Sequence, residues 1–321
     1  MSSYEAEKVF GLTGIFERYK GNPVLTPNPK SMWDSYMVFN SAVLDMGGKI
    51  HLLYRARGKK GGISRIGYAS TADGFNIDER LDKPVFEPEE GNELECFGCE
   101  DPRLAEIGDR VYLTYTAYGM IPSMSPSFKS IQVAMTSISS QDFLEKKWNW
   151  GPRRYPFPCV DNKHACLFPE KIEGRWVMYH RIPPHIWIAY SPDLENWGDA
   201  NIVLSPRRGW EYFKVGGGTQ PIKTDEGWLI IYHAVDREWN YRLGAAVADL
   251  KNPHKLVKRS REPVLEPQEE YEVRGDVPNV IFTCGAALRD EKLYLYYSGA
   301  DTVMCVATAE LPELLKSLEK V

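Results

Sequence analysis

Asp101 stands in the segment Glu100-Asp101-Pro102-Arg103, and Lys163, Arg181, Lys214 and His233 follow it through the middle of the chain. One candidate acid and several cationic or donor groups suit a proton-donating carboxyl beside a bound anion. Each residue alone has a plainer role. Asp101 can cap a turn before Pro102 and pair with Arg103, and the cations can pair with Asp161, Glu170 or Asp236. Taken as a set on apolar strands, the positive groups need a counter-charge, and an anion site accounts for them better than separate ion pairs.

Other candidate motifs weaken on inspection. Gly216-Gly217-Gly218 lacks the spacing of a nucleotide loop and no helical pattern follows it, so it reads as a close backbone approach. Cys96 and Cys99 form a CxxC, but no second CxxC or HxxxH completes a zinc set and no βαβ pattern surrounds it. Ordinary reduced thiols fit better. No metal triad, nucleophile elbow or cofactor spacing is present. Net charge is −5 with no basic block, which disfavours nucleic acid and anionic membranes as partners. No early basic-then-apolar stretch suggests a secretion signal, no run is long enough to span a bilayer, and a cytoplasmic setting is expected. Nine Trp and eighteen Tyr suit sugar stacking and a sheet-rich core alike.

The elements that must position these groups come from an internal repeat. An apolar strand, a tight turn and a strand ending in Tyr recur at residues 42–55, 104–116, 167–181, 221–233 and 286–298. The aligned tyrosines Tyr54, Tyr115, Tyr179, Tyr232 and Tyr297 lie 61, 64, 53 and 65 residues apart, enough for one sheet each. A third strand follows each unit, at 66–72, 131–137, 186–191, 243–248 and 303–309. Proline-flanked outer strands follow at 84–88, 202–206 and 263–267, with a weaker copy at 156–158. The fifth unit lacks one, and residues 23–27 (Pro-Val-Leu-Thr-Pro) supply its copy at the N-terminus. The sequence therefore predicts an all-β, five-bladed propeller whose N-terminal strand closes the last blade. The domain plan is an extension at 1–21, a catalytic propeller at 22–309 and a short C-terminal helix at 310–321, with Leu314, Leu315 and Leu318 on one face. Val9, Phe10, Leu12, Ile15 and Phe16 of the extension serve either packing beneath the propeller or a contact between subunits of a homo-oligomer.

Polar residues that break the repeat, among them Asn40, Arg55, Asp101, Lys163, Arg181 and His233, cluster at strand ends near the propeller axis. Together with Asn22-Pro23-Val24-Leu25, Phe39-Asn40-Ser41-Ala42, Gly98-Cys99-Glu100-Asp101-Pro102-Arg103 and Leu167-Phe168-Pro169-Glu170-Lys171, the chain resembles glycoside hydrolase family 130, the mannoside phosphorylases and related β-mannosidases. Tyr179-His180-Arg181, Tyr232-His233-Ala234-Val235, the run from Tyr241 to Ala246 and Ser298-Gly299-Ala300-Asp301-Thr302 continue the resemblance from about residue 22 to 309. It implies that Asp101 is the catalytic acid. It also implies that Asn40, Arg55, Asp101 and Asp301 hold the mannosyl unit, and that Lys163, Arg181, Lys214, His233 and Tyr241 cradle phosphate. Lys163 stands where many members carry Arg, which keeps the charge but loses the two-pronged donor.

The activity so implied is inverting phosphorolysis of β-mannosides to α-mannose 1-phosphate, with inorganic phosphate as co-substrate and no cofactor. Asp101 would act through the mannosyl 3-hydroxyl. A hydrolase of the same family would instead need a second carboxylate to activate water, from Glu211, Asp236 or Asp276. A propeller that only binds glycans or proteins would need neither the acid nor the cations. Residues 119–129 and 183–187 are the expected acceptor loops, and the linkage stays open between β-1,4 and β-1,2.

Overall fold

Turn chemistry sets the register of each repeated hairpin. Gly47 and Gly48 take φ of 57° and 80°, the paired left-handed conformations of a two-residue hairpin turn, which glycine adopts without strain. Glu173–Gly174 and Asp290–Glu291 repeat this pair of positive angles in the third and fifth units. In the computed structural model, which describes residues 14–121 and 129–321, these hairpins extend into five antiparallel sheets arranged as a propeller.

The first blade comprises Met37–Met46, Lys49–Arg57, Arg65–Thr71 and Glu79–Arg80; the second, Gly98–Ile107, Arg110–Met120 and Lys129–Ser139. The third holds Lys163–Leu167, Trp176–Ile182, His185–Ser191 and Gly198–Leu204. In the fourth, the innermost strand is split into Lys214–Gly217 and Ile222–Thr224, followed by Gly227–Val235, Tyr241–Ala248 and Leu256–Arg259. The fifth comprises Ile281–Arg289, Lys292–Gly299 and Val303–Glu310, and Glu17–Arg18 closes it from the N-terminus.

Two details differ from the sequence expectation. The proline-flanked segments at 84–88, 263–267 and 23–27 contribute single bridges, Phe86 to Ile66, Leu265 to Leu243 and Leu25 to Met304. Prolines on either side remove the donors that a longer ladder needs, so regular outer pairing falls on neighbouring residues. Closure of the ring accordingly begins at Glu17, inside the segment set apart as 1–21. Ile15 and Phe16 pack into the core between the fourth and fifth blades, whereas Val9, Phe10 and Leu12 lie outside the described residues. In the second blade the outer position is a bridge from Arg154 to Met135 rather than residues 156–158, and Phe157 instead stacks on His180 with ring centres 4.3 Å apart. The C-terminal helix spans Leu311–Lys316, and Glu319–Lys320 then pairs with the fourth blade's outer strand.

Five apolar cores fill the five gaps between neighbouring blades. Beneath them runs a latch that repeats with the aligned tyrosines. Tyr54, Tyr115, Tyr232 and Tyr297 donate to Asp34, Glu95, Glu211 and Glu272, each almost fully buried. Each carboxyl is paired in turn by an arginine, namely Arg80, Arg153, Arg259 and Arg18. A buried carboxylate tolerates such a place only when charge and hydrogen bonds are both satisfied. Tyr179 departs from the pattern and donates to the Pro253 carbonyl at 2.5 Å. No helix among the described residues is long and apolar enough to cross a membrane.

Candidate active site

The innermost strands of the first three blades each break register near the axis. The breaks fall between Phe39 and Ala42, between Glu100 and Arg103, and opposite Tyr179–Arg181. At each break one non-glycine residue is left-handed: Asn40 at φ 50°, Asp101 at 51° and His164 at 55°. A bulge re-aims a side chain, and bulky residues hold such angles only where their surroundings enforce them. All three side chains line one axial cavity of about 220 Å³.

Arg103 closes the axis below them. It is 1% exposed and donates to the carbonyls of Gly217 at 2.8 Å, Gly218 at 2.7 Å and Asp101 at 3.0 Å. The triple glycine is the other half of this contact. A Cβ on Gly216 would meet His233 at 2.5 Å, and one on Gly218 would meet the Ile231 carbonyl at 2.6 Å. The close-approach reading of this segment holds.

The cavity brings together Asn40, Arg55, Asp101, Lys163, Arg181, Lys214, His233, Tyr241 and Asp301, every residue that the resemblance set around the mannosyl unit and the phosphate. Sequence reasoning missed Val277, Val280 and Phe282 as further lining residues, and placed His164 among the strand-end groups near the axis without giving it a role. His164 does follow Lys163 at the third blade's break, the position that Asn40 and Asp101 occupy in theirs, and that alignment was a usable signal.

On one side of the cavity, Asp101 Oδ1 accepts from Asn40 Nδ2 at 2.7 Å and from Arg55 Nη1 at 2.9 Å. Asn40 is itself oriented by Ser298, which receives its backbone N–H at 2.5 Å and donates to its Oδ1 at 2.7 Å. Arg55 is held by Ser64 at 2.9 Å and by Glu100, which also pairs with Arg57 and lies 3.8 Å from Lys163. Burial opposes the Asp101 charge, but Arg55, Lys163, the Asn40 amide and Arg103 outweigh it and hold the carboxyl well below the usual range. Asp301 behaves oppositely. Desolvation raises it to about 7 against the pull of Arg55, and the charges of Asp101, Asp276 and Glu100 add to the rise.

The other side is cationic. Among the described residues neither Arg181 nor Lys214 forms an ion pair with a carboxylate. Both nitrogens of His233, Nδ1 of His164 and Nε of Arg181 are buried without a hydrogen-bond partner among the described residues. Buried polar groups are satisfied in all but a few cases, and the arrangement leaves this wall with donors and positive charge to offer an anion with several acceptor oxygens. Burial, then Arg181 and Lys163, lower Lys214 to about 8. Burial and the same cationic field keep His164 and His233 well below the ordinary imidazole range. Burial raises Tyr241 to about 12, which leaves its phenol a donor at neutral pH.

The three carboxylates considered for water activation lie outside the cavity. Glu211 is locked to Tyr232 and Arg259, Asp236 to Arg242 at 2.5 Å, and Asp276 accepts from the Tyr36 hydroxyl at 2.8 Å. A larger open groove of about 750 Å³ runs past Trp210, Tyr212 and Arg237, but its Arg242 is already paired with Asp236 and Glu266. Cys96 and Cys99 are unlinked, and burial pushes the Cys99 thiol well up.

The model of glycoside hydrolase family 130, described as beta-1,4-mannooligosaccharide phosphorylase, matches residues 13–320. A 1,2-beta-oligomannan phosphorylase of Thermoanaerobacter sp. (strain X514) is 42% identical over 305 residues, covering 93% of this chain and 98% of the relative. A beta-1,2-mannobiose phosphorylase of the same organism is 41% identical over 306 residues, covering 91% and 96%. The structure of the beta-1,2-mannobiose phosphorylase of Listeria innocua with beta-1,2-mannobiose superposes with a TM-score of 0.80 at 30% identity, covering 94% of this chain and 98% of that one.

Proposed function

The chain belongs to glycoside hydrolase family 130, and from that premise we propose that it is a phosphorylase of β-1,2-linked mannosides that releases α-mannose 1-phosphate. Phosphorolysis of β-mannosides is the shared activity of the relatives named above. The linkage is the finer step. The family description names β-1,4, yet the relatives of about 40% identity act on β-1,2 linkages, and identity over the whole chain is the better guide to the acceptor side.

The observation that carries the phosphorolytic reading is the unneutralised wall of Arg181, Lys214 and His233 facing Asp101 across one small cavity. Asn40, Arg55 and Asp301 hold the mannosyl ring, and Asp101 serves as the proton donor toward the glycosidic oxygen. Lys163, Arg181, Lys214, His233 and Tyr241 hold phosphate below the anomeric carbon. There the nucleophile is already anionic, and catalysis rests on position and charge. Phosphate has a second effect. Its negative charge offsets part of the cationic field, that of Arg55, Lys163 and Arg103, which keeps Asp101 ionised, so the acid gains its proton as the nucleophile binds.

The test is incubation with β-1,2-mannobiose, a longer β-1,2-mannoside and β-1,4-mannobiose, each with and without phosphate. The expected outcome is phosphate-dependent mannose 1-phosphate from the β-1,2 substrates. Free mannose without phosphate would instead identify a hydrolase, and turnover confined to the β-1,4 substrate would move the linkage.

A further inference from the structure

Lys214 meets an unusual set of neighbours. Its Nζ lies 5.1 Å from the ring centre of Trp239, 5.4 Å from that of Tyr241 and 5.7 Å from that of Phe213. Phe213 and Trp239 touch each other, with ring centres 4.6 Å apart. Neither aromatic is placed by burial, since Phe213 is 46% and Trp239 55% exposed. Trp239 also sits at φ 65° in the turn between Gly227–Val235 and Tyr241–Ala248, a costly conformation for an aromatic residue. Asp236 enforces it. Its carboxylate accepts the backbone N–H of Glu238 and of Asn240 at 2.9 Å each, and also the Asn240 side-chain amide and Arg242. A strained, solvent-facing indole held over a lysine by a built turn calls for a role outside the core.

We propose that Trp239, with Phe213 and Tyr241, forms an aromatic collar that aims the Lys214 ammonium into the cavity without cancelling its charge, making Trp239 a positioning residue for phosphate. This rests on the assignment of Lys214 to the phosphate site. A carboxylate in the collar's place would orient the ammonium more strongly but would also compete with the incoming anion. Ring faces attract a cation through their quadrupole and leave its full positive charge for the ligand. Lys163 shows the alternative arrangement, with Glu100 at 3.8 Å. The collar also opposes the deprotonation that burial, Arg181 and Lys163 favour at Lys214, which is lowered to about 8.

The experiment compares Trp239→Ala, Trp239→Leu, Trp239→Phe and Lys214→Ala, with KM measured separately for inorganic phosphate and for the β-mannobioside that the enzyme turns over. The Ala and Leu variants should raise KM for phosphate roughly three- to thirty-fold while KM for the sugar stays within about two-fold. The Phe variant keeps a π face and should restore most of the loss. Because Leu fills the space without a π face, wild-type phosphate kinetics in the Leu variant overturn the collar, as does failure of Phe to rescue. Lys214→Ala separates the two layers. If it leaves phosphate KM unchanged, Lys214 is not a phosphate ligand and the proposal falls with that assignment. If it raises KM while Trp239→Leu does not, only the collar is wrong.

Discussion

Asp101 must be a proton donor in an environment built to keep it ionised. Arg55, Asn40, Lys163 and Arg103 all favour the carboxylate, and burial alone opposes them. The conflict resolves if phosphate, arriving beside Lys163 and Arg181, supplies the compensating charge. At low phosphate the pH profile of kcat/KM for the mannoside should then fall off on its alkaline side early. Saturating phosphate should shift that limb to higher pH, because a raised pKa keeps the acid protonated further up the scale. Asp101→Asn should lose at least about 10²–10⁴-fold in turnover and lose the phosphate-dependent shift with it. A limb that stays fixed at all phosphate concentrations means that Asp101 is not the titrating acid. Asp301, raised to about 7 in the same cavity, would then be examined. The site was legible in the sequence as far as residue type and repeat position reach, and Asn40, Asp101 and Arg181 each interrupt an otherwise apolar unit. Trp239 was not, since its role follows from a turn geometry that Asp236 imposes and no local pattern announces.

The repeated hairpin is legible at the scale of the element because strand alternation and turn residues are local. The latch under it is not. Its carboxylates precede their tyrosines by 20, 20, 21 and 25 residues, and their arginines come from outer segments at no fixed distance. Only folding brings the three groups together. The latch of the fifth blade carries an extra burden, because Arg18 lies on the strand that closes the ring. Its guanidinium meets Glu272 with Nε at 2.8 Å and Nη2 at 2.9 Å, while Tyr297 donates to the same carboxylate at 2.8 Å. Glu272 is 0% exposed, so Arg18→Met would leave a buried charge unpaired. We expect a loss of about 3–5 kcal/mol in urea unfolding, with partial recovery when Glu272→Gln is added to remove the stranded charge. A single-variant loss below about 1 kcal/mol would show that closure depends on the apolar core around Phe16 and not on the latch.

At the scale of the whole molecule, the axis that creates the site also sets the acid stability of the fold. Five blades wedge their innermost strands together, and the residues caught there are desolvated whether or not that suits their charge. Burial lowers four of the six histidines below the ordinary imidazole range, His164 and His233 at the axis, His180 on the third blade's second strand and His51 against Tyr68 and Phe143 away from it. A histidine whose folded pKa is depressed stays neutral in the fold, while the unfolded chain takes up a proton below about pH 6.5. The unfolded state therefore binds more protons as pH falls, and stability is lost from about pH 6.5 downward. His180, lowered to about 4 by burial, accounts for about 2 kcal/mol between pH 7 and pH 5 by this linkage, and His164 and His233 act in the same direction. The depressed carboxyl of Asp101 adds nothing in this window, because its contribution is lost only below the pKa of an unfolded aspartate, near about 4. Asp301, raised to about 7, instead takes up a proton in the fold across the same window and offsets about one such imidazole. Urea midpoints in phosphate-free buffer should thus decline steadily from pH 7 to pH 5, well above the range of acid unfolding driven by carboxylates. His180→Gln, which keeps a hydrogen-bonding group beside Asn162 but cannot titrate, should flatten part of that slope. Midpoints that hold level across those two pH units, in the wild type and in an Asp301→Asn variant alike, would show that the buried imidazoles take up protons in the folded state.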